Sequence, residues 1–464
     1  MPRTHDVRRH SRAFAGVVVG VAGLFVWLAV VLGNTAVAQR SPSDTNAIFE
    51  ANHLPPLLRL PDERPRLVYE VHCAPGGVED PERRCNVAGN VFIRPESRGA
   101  FRALRLEPSS AEGIQQLEAT MPIEVATSPD GFEYYAELRA LGRTDSLLLP
   151  AGGAAAPHRS LTLRDPVSVA LGEHLFGMTS AGARIVSASW GDGPTSVGLE
   201  QGRSLPAIGA SSFDVSGDGT VLLLDEAHRR ALRFERGAGP PTSVPLSIDG
   251  HLADVAVADD RSIYVLESGS MPGRTPLVRH FDRTGRQHDA VETAERTPSQ
   301  IRIGPEGPVV LHHPSHQWMP VARGGVPSAP YHQLRKARVG RPLDAGREVV
   351  VLRVGQEIRA AVLAGGRVQR SWILTSRTPL AEVQLAEPVG RRLVLVARAF
   401  SDTADEFVVL VLDQRGLVQE FSTPSDEWAE GAPLGRFRLT GNRLYRLGTD
   451  ASGAFVARYD LEVR

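Results

Sequence analysis

The chain has 464 residues, a formal net charge of −1 at neutral pH, 42% apolar residues and 23% charged residues. The length exceeds that of one ordinary domain, and the apolar content is that of a folded protein, which excludes a disordered chain. A net charge near zero creates no field that favours nucleic acid or an anionic membrane surface, so we expect neither as a partner. The 45 glycines and 34 prolines suit an all-β protein with many turns.

Residues 1–38 have the layout of a bacterial-type secretory signal. Four arginines lie within the first twelve residues, an uncharged run covers 13–33, and a small-x-small cleavage site ends at Ala38. The uncharged run is also long enough to cross a bilayer, so 13–33 could instead stay as an N-terminal membrane anchor. We favour cleavage after Ala38 because the Ala-x-Ala site is well placed. Either alternative predicts a secreted or extracytoplasmic body.

A linker and a small domain are predicted next. Residues 39–62 are polar and rich in proline, which predicts a linker. The domain is assigned to 63–165 and begins with two cysteines, Cys73 and Cys85, on either side of a loop rich in glycine, proline and charge. A local disulfide across this loop agrees with an oxidising compartment, whereas two cysteines without further ligands make a poor zinc site.

Apolar and polar residues alternate along the predicted strands of this domain, as they do in a half-buried sheet. Residues 67–71 have period two, and 132–138 form a long strand that follows the turn 128–131. The segment 121–138 resembles the last strands of the immunoglobulin-like and fibronectin-type modules of exported bacterial proteins. This resemblance implies a β-sandwich of about 100 residues.

From 166 to 464 one pattern recurs: an apolar run, a polar turn with Gly or Asp, a second apolar run and a charged end. The clearest copy is SFDVSGDGTVLLLD at 212–225, which closes with RRALRF at 229–234. The first apolar residue after each turn marks one unit; these markers are Val221, Ile263, Val309, Val351, Leu393 and Leu444. Their spacing of 42 to 51 residues is that of a four-stranded propeller blade.

Six markers predict a six-bladed β-propeller after the sandwich, in an all-β chain. The last unit shows only three strands, so we predict that a strand near 183–189 completes it and closes the ring, which removes open sheet edges. The segment 171–178 offers an alternative, the start of a seventh blade. The copy at 212–234 resembles NHL-type and related six-bladed propellers. That class includes scaffolds, ligand binders, lactonases and lyases, so the resemblance leaves the function open.

Calcium-dependent lactonases of the six-bladed class hold a hard cation with oxygen ligands in the central channel. Candidates on strands that could face such a channel are Asp214, Asp254, Glu382 and Gln384. Three arginines that could share the channel, Arg302, Arg436 and Arg438, would disfavour a cation there. Carboxylates paired with arginines more often form a structural ion-pair network, which is the interpretation we favour.

His312, His313 and His316 form a histidine cluster whose spacing could ligate zinc or copper. Residues 312 and 313 are adjacent at a strand end, so their side chains should point to opposite faces. Pro314 then bends the chain. We therefore favour a loop packed between blades over a metal site.

The sequence contains no nucleophile elbow, paired-histidine zinc motif or phosphate loop. We expect an exported recognition protein whose partner is a protein, peptide or glycan, with contacts from the loops 268–274 and 313–330. The alternative is a metal-dependent hydrolase, lactonase or lyase with a channel site. We expect no other cofactor.

Overall fold

The architecture comes from a computed structural model. It describes residues 49–73, 86–96, 99–111, 114–142, 144, 146–150, 152–200, 207–237, 239–249, 253–267, 276–293, 298–312, 317–321, 340–343, 346–425, 428–429 and 435–462. The predicted leader, 1–38, lies outside this part of the chain. Within the described ranges no helix has the length and apolarity to cross a membrane.

The first domain is a sandwich of two β-sheets. One sheet has the order β1-β3-β7-β6, with strands β1 (Phe49–Asn52), β3 (Arg66–Cys73), β7 (Ile114–Thr120) and β6 (Glu107–Ala111). The other has the order β2-β10-β8-β4-β5, with strands β2 (Leu58–Arg59), β10 (His158–Thr162), β8 (Phe132–Ala140), β4 (Val87–Pro95) and β5 (Arg102–Arg105). A further strand, β9 (Ser146–Leu149), pairs with β8. The helix α1 (Ile123–Ala126) and a 3-10 turn (Gly153–Ala155) lie in the connections.

The two sheets share one apolar core because side chains alternate along each strand. In β3 every second residue from Leu67 to Cys73 is buried, and the residues between them are partly exposed. The buried side chains of β3 belong to the same cluster as Tyr134 and Leu138 of β8, in the opposite sheet. The period-two prediction for 67–71 is confirmed.

The linker prediction was wrong for its second half. β1 pairs with β3, and β2 pairs in parallel with β10, so residues from 49 onward belong to the sandwich. Leu57 and Leu58 are fully buried. The prolines around them shape an extended segment whose leucines enter a core, and residues 39–48 lie outside the described ranges. Cys73 is buried at the end of β3, but Cys85 is not among the described residues, so the disulfide stays a prediction.

Six further sheets form the blades of a propeller in the described part of the chain. The first blade contains β13 (Ser212–Val215), β14 (Val221–Asp225), β15 (Arg230–Phe234) and β16 (Thr242–Pro245). The second contains β17 (Ala253–Val257), β18 (Ile263–Glu267), β19 (Leu277–Phe281) and β20 (Gln287–Glu292). The third contains β21 (Pro298–Gly304), β22 (Gly307–His312) and β23 (Gln317–Pro320).

The remaining three blades follow the same antiparallel order, and two of them take an extra strand from an earlier part of the chain. The fourth contains β24 (Arg341–Pro342), β25 (Arg347–Val354), β26 (Glu357–Ala364) and β27 (Arg367–Ser376), with β11 (Val167–Leu171). The fifth contains β28 (Leu380–Val389), β29 (Arg392–Phe400), β30 (Asp405–Asp413) and β31 (Gly416–Pro424). The sixth contains β32 (Phe437–Thr440), β33 (Arg443–Asp450) and β34 (Gly453–Asp460), with β12 (Ala183–Ser189). All six sequence markers lie in the second strand of a blade.

Blade strands are apolar at consecutive positions where both faces of the blade are covered, by neighbouring blades or, on the fourth blade, by a neighbouring blade and the sandwich. All five residues of β14 are buried. Leu223 packs with Val456 of the sixth blade, whereas Leu222 and Leu224 pack with Val265 of the second. This two-sided burial explains why the units have continuous apolar runs and not an alternating pattern.

The ring is closed by β12, which pairs antiparallel with β34. A Cβ atom at Gly453 would lie 2.0 Å from the Ala188 carbonyl oxygen, so a glycine is needed where the two strands meet. The first blade then contacts both the second and the sixth, through β13 with β17 and β32. The prediction that 183–189 completes the last blade is confirmed.

No seventh blade begins at 171–178. β11 instead pairs in parallel with β27, as a fifth strand on the fourth blade. The chain then passes the fifth blade, where Thr179 bridges Ser422, and enters β12. A single stretch before the first blade therefore contacts the fourth, fifth and sixth blades in turn.

The sandwich and the fourth blade share a core and an ion pair around a buried arginine. Leucines of the sandwich segment form one apolar cluster with the face of the blade; its buried members are Leu57, Leu58, Leu161, Leu163, Val350, Leu352, Ala361, Leu363 and Ile373. Beside this cluster Arg359 Nη2 lies 2.5 Å from Glu63 Oε1 and 2.9 Å from Glu357 Oε2. Arg359 also donates to the Leu58 carbonyl oxygen. The two domains are therefore joined by packing as well as by the chain.

We expect Arg359→Ala to lower the free energy of unfolding by about 2–3 kcal/mol, since Glu63 and Glu357 lose a charged partner that is itself 4% exposed. Urea denaturation would measure the change. Arg353→Ala, at an exposed position on β25, is the matched control and should change stability by less than about 0.5 kcal/mol. Equal effects of the two substitutions would contradict a structural role of the ion pair.

His53 is held as a neutral imidazole inside the sandwich. Its ring stacks on Tyr69 at 4.3 Å between centroids. Nδ1 lies 2.8 Å from the Val68 carbonyl oxygen, which can only accept, so Nδ1 donates and Nε2 accepts from the Tyr134 hydroxyl at 2.7 Å. Removal from water lowers the pKa of His53 from 6.5 to about 4, although the hydrogen bond to Val68 opposes the shift.

This depressed pKa predicts acid lability. The unfolded chain binds a proton at His53 below pH 6.5 and the folded chain only near pH 4, so stability is full above pH 6.5 and is lost as the pH falls from 6.5 towards 4. Urea midpoints across this range should fall less steeply for His53→Phe, which keeps an aromatic ring without a titrating group. His288→Phe, at an exposed position, should keep the parent profile. Superimposable profiles of His53→Phe and the parent would contradict this account.

Candidate functional site

The inner strands of the blades contact one another around the ring. β13 contacts β17, β17 contacts β21, and β32 contacts both β28 and β13, while the fourth blade contacts β28 through its second strand, β25. The candidates Asp214 and Asp254 lie on β13 and β17, and Glu382 and Gln384 both lie on β28. These four polar residues therefore lie on the first strands of the first, second and fifth blades.

Asp254 is the centre of a buried ion-pair network, and its carboxylate is 3% exposed. Its two oxygens accept five hydrogen bonds: Ser212 Oγ at 2.6 Å, Arg438 Nη2 at 2.6 Å, Val255 N at 3.0 Å, Ile301 N at 2.8 Å and Arg302 Nη1 at 3.0 Å. A carboxylate offers about four lone-pair sites, so none is left for a metal ion. We call Ser212, Asp214, Asp254, Arg302 and Arg438 the Asp254 cluster.

The charges of this cluster are fixed by their neighbours. Burial alone would raise the pKa of Asp254, but Arg438, Arg302 and the Ser212 hydrogen bond hold it below its usual value, so the carboxylate is ionised at neutral pH. Burial, followed by repulsion from Arg438, lowers the pKa of Arg302 to about 10, which still leaves it charged at neutral pH. Two guanidinium groups thus surround one carboxylate.

Asp214 joins the same cluster through Arg438, whose Nε lies 3.4 Å from Asp214 Oδ1. It also accepts hydrogen bonds from the backbone N–H groups of Val215 and Val257. Burial raises the pKa of Asp214, and the Arg438 charge opposes that rise. Gly435 closes the cluster, since a Cβ atom there would lie 2.7 Å from Ser212 Oγ. The structure therefore brings Asp214 and Asp254 together as ion-pair partners of one arginine.

Glu382 belongs to a second group, on the fifth and sixth blades. Burial raises the pKa of Glu382, while Arg436, Arg398 and a hydrogen bond from Gln384 oppose the rise. Arg398 is also paired with Asp405. Gln384 Oε1 is buried and has no hydrogen-bond partner within the described ranges. In that part of the chain no ion pair connects Glu382 with Asp254.

The histidine cluster falls almost entirely outside the described residues. His312 ends β22, whereas His313 and His316 are not described, so the zinc or copper hypothesis stays a prediction. The contact loop 268–274 is also outside, and 313–330 is described only at 317–321. In the part of the chain that is described, no group of three His, Cys, Asp or Glu side chains could hold a metal ion.

An aspartate–histidine pair that the sequence analysis missed lies at the end of β14. Asp225 is 1% exposed and accepts from Arg230 Nε at 2.9 Å, and His228 Nδ1 lies 2.7 Å from its carboxylate. The hydrogen bond to Asp225 raises the pKa of His228. The other ring nitrogen lies 3.3 Å from Asp192, and Asp225 also accepts from the Gly198 N–H. The pair therefore fastens the segment after β12 to the first blade and does not present a free base.

We expect Asp254→Asn to lower the free energy of unfolding by about 3 kcal/mol, because Arg302 and Arg438 stay charged at buried positions without their counter-ion. The urea midpoint measures this loss. Asp402→Asn, in an exposed turn of the fifth blade, is the matched control with an expected change below about 0.5 kcal/mol. Wild-type stability of Asp254→Asn would show that the carboxylate is dispensable to the ring.

Comparisons with known proteins give remote similarities only. No model of a protein family matches the chain, and no curated protein matches it. A functionally unknown protein from Desulfotomaculum acetoxidans aligns at 10% identity over 56% of this chain and 92% of its own, with a TM-score of 0.34. A catalytically inactive virginiamycin B lyase from Staphylococcus aureus with quinupristin aligns at 10% identity over 56% and 98%, with a TM-score of 0.31. YCF48 bound to a D1 peptide aligns at 10% over 60% and 100%, with a TM-score of 0.28. The propeller assignment rests on the sheet topology of this chain.

Proposed function

We propose that the chain is an exported recognition protein that uses its propeller as a rigid platform for a protein, peptide or glycan ligand. The observation that carries this proposal is the saturation of the Asp254 carboxylate by five donors. An enzyme with a metal in its channel would use such a carboxylate as a ligand. In this chain the Asp254 carboxylate instead holds neighbouring blades together. This favours a structural role for the channel and a binding role for the surface.

Rigidity supports the same proposal. The ring is closed by β12, and the sandwich is attached to the fourth blade by a shared core and by Arg359. Such a frame does not have to be ordered when a ligand binds, which is the benefit of preorganisation. The loops 268–274 and 313–330 remain our proposed contact surface.

The cellular location and the finer family assignment are also proposals. The layout of 1–38, with cleavage after Ala38 or retention of 13–33, supports export, and a Cys73–Cys85 disulfide would suit an oxidising compartment. We further propose that the propeller is of NHL type and that the sandwich is immunoglobulin-like. Their support is the sequence pattern at 212–234 and 121–138.

The test combines binding and turnover on the purified protein. We expect saturable binding to at least one member of a peptide and glycan array, and no product from lactone, ester or glycan substrates. Melting temperatures with calcium, zinc, manganese or EDTA should be equal, whereas a bound metal at 100 times its dissociation constant would add about 2.7 kcal/mol. Asp254→Ala combined with Glu382→Ala should change stability only.

The opposite outcome would support a metal-dependent hydrolase, lactonase or lyase. It consists of a melting temperature that rises with one metal, falls with EDTA, and loses both responses in the Asp254→Ala, Glu382→Ala variant. Turnover that requires the same metal would complete that case and overturn the recognition proposal.

A further inference from the structure

A cleft of about 520 Å³ lies where the sandwich meets the fourth blade. One wall comes from the sandwich and includes Glu96, Asp130 and Thr162, and the other is the strand β27 from Arg367 to Trp372. The connection between the domains, at Arg164 and Asp165, forms a third side. Small-molecule sites have volumes of roughly 300–1,000 Å³ and occur preferentially between domains. The cleft has the size and the place of a ligand site, and it is separate from the loop surface of the proposed function.

The walls are held in position by the contacts between the domains. Leu161 and Leu163 are buried in the cluster shared with the fourth blade, directly beside the cleft residues Thr162 and Arg164. Arg159 pairs with Glu96 at 2.8 Å near the mouth. Because both walls are anchored, a ligand would enter a preformed cleft and would not have to order it.

The two walls differ in how their charges are satisfied. On the sandwich side Glu96 is paired with Arg159, and Asp130 with Arg164 at 3.5 Å. On the propeller side neither Arg367 nor Arg370 forms an ion pair in the described part of the chain, although Arg370 donates to one backbone carbonyl. The propeller wall therefore includes two arginines without a counter-ion in the described part of the chain, one of them bonded to the Arg391 carbonyl oxygen.

Ser371 adds a hydroxyl group between these arginines and Trp372. The residue lines the cleft, and its hydroxyl forms no hydrogen bond within the described ranges. A hydroxyl can both donate and accept, so this one is available to a ligand in the cleft. Its position favours an anionic acceptor held jointly by the hydroxyl and the guanidinium groups.

The carboxylates of the cleft limit the charge of that acceptor. Glu96, Asp130 and Asp165 line the same space, so a doubly charged anion would meet more repulsion than a singly charged one. Asp165 has a positive φ of 46° and no ion pair in the described ranges, which leaves its carboxylate available to hydroxyl or ammonium donors. A ligand with one carboxylate beside hydrogen-bond donors would therefore match both the arginines of the propeller wall and the free Asp165 carboxylate.

We propose that this cleft binds a small ligand that carries a carboxylate, held by Arg367, Arg370 and Ser371, with neighbouring donor groups that reach Asp165. Two sources share this chemistry: an acidic sugar, with its ring hydroxyls, and the C-terminus of a short peptide. The assignment does not depend on which surface of the propeller recognises a partner.

Calorimetric titration of the purified protein tests the proposal with digalacturonate and with trialanine, each beside its neutral methyl ester, and with inorganic phosphate. We expect one acid to bind saturably and its ester at least about tenfold more weakly, because charge-assisted hydrogen bonds are lost. Which acid binds identifies the source. Preference for phosphate, equal binding of acid and ester, or no saturable binding of either acid up to roughly millimolar concentration would overturn the proposal.

Variants connect the binding to the residues. Arg367→Ala with Arg370→Ala should weaken the acid at least about tenfold, whereas Arg236→Ala with Arg353→Ala, which removes two exposed arginines outside the cleft, should leave it unchanged. Arg370→Lys keeps the charge without the planar fork and should give an intermediate affinity, and Ser371→Ala a smaller loss. If circular dichroism shows that the double variant is unfolded, the affinities of these two single variants decide the test. Parent affinity in every cleft variant would also overturn the proposal.

Discussion

One buried carboxylate connects four of the six blades. Asp254 lies on the second blade and is hydrogen-bonded to Ser212 of the first, to Arg302 of the third and to Arg438 of the sixth. Ser212, Asp254, Arg302 and Arg438 are all buried, so water does not satisfy their polar groups. Polar side chains that reach across the centre therefore have to satisfy one another. The Asp254 cluster does so around the point where the first and last blades meet.

This arrangement has an energetic cost as well as a benefit. Two arginines and two aspartates must lose their water, and ion pairs in such places often contribute little net stability. These ion pairs instead favour one arrangement of the blades, because a misplaced blade would leave a charge buried and unpaired. In this chain the cluster pairs Asp214 and Asp254 with Arg438 and so gives both aspartates a structural role.

The blade pattern could be predicted because it repeats: each marker from Val221 to Leu444 lies on a second strand. The ring-closing strand was also predictable, since the last unit lacked one. Two strands of the sandwich were missed because prolines around Leu57 and Leu58 resemble a linker, and only the blade that covers these leucines reveals their burial. The partners of Asp254 and the interdomain cleft depend on which blades and domains meet, and a local pattern does not contain that information.

The fourth blade also shows why the sandwich is more than an attached module. Among the described residues, apolar clusters join consecutive blades from the fourth through the sixth and the first to the third, whereas the other face of the fourth blade packs on Leu161 and Leu163 of the sandwich. Removal of the sandwich would expose that face to water, and exposed apolar surface of this kind promotes association. The two domains therefore depend on each other for folding, although each has its own sheets.

The strands β11 and β12 set the order of events during synthesis. They are made before any blade, yet their partners β27 and β34 come near the end of the chain; Arg184 and Asp450, which pair across this closure, are 266 residues apart. Contacts so distant in sequence are slow to form, and unpaired strands are open to wrong partners in the meantime. β11 stays unpaired until the fourth blade is made and β12 until the last, so we regard the period before closure as the time when this protein most needs a chaperone.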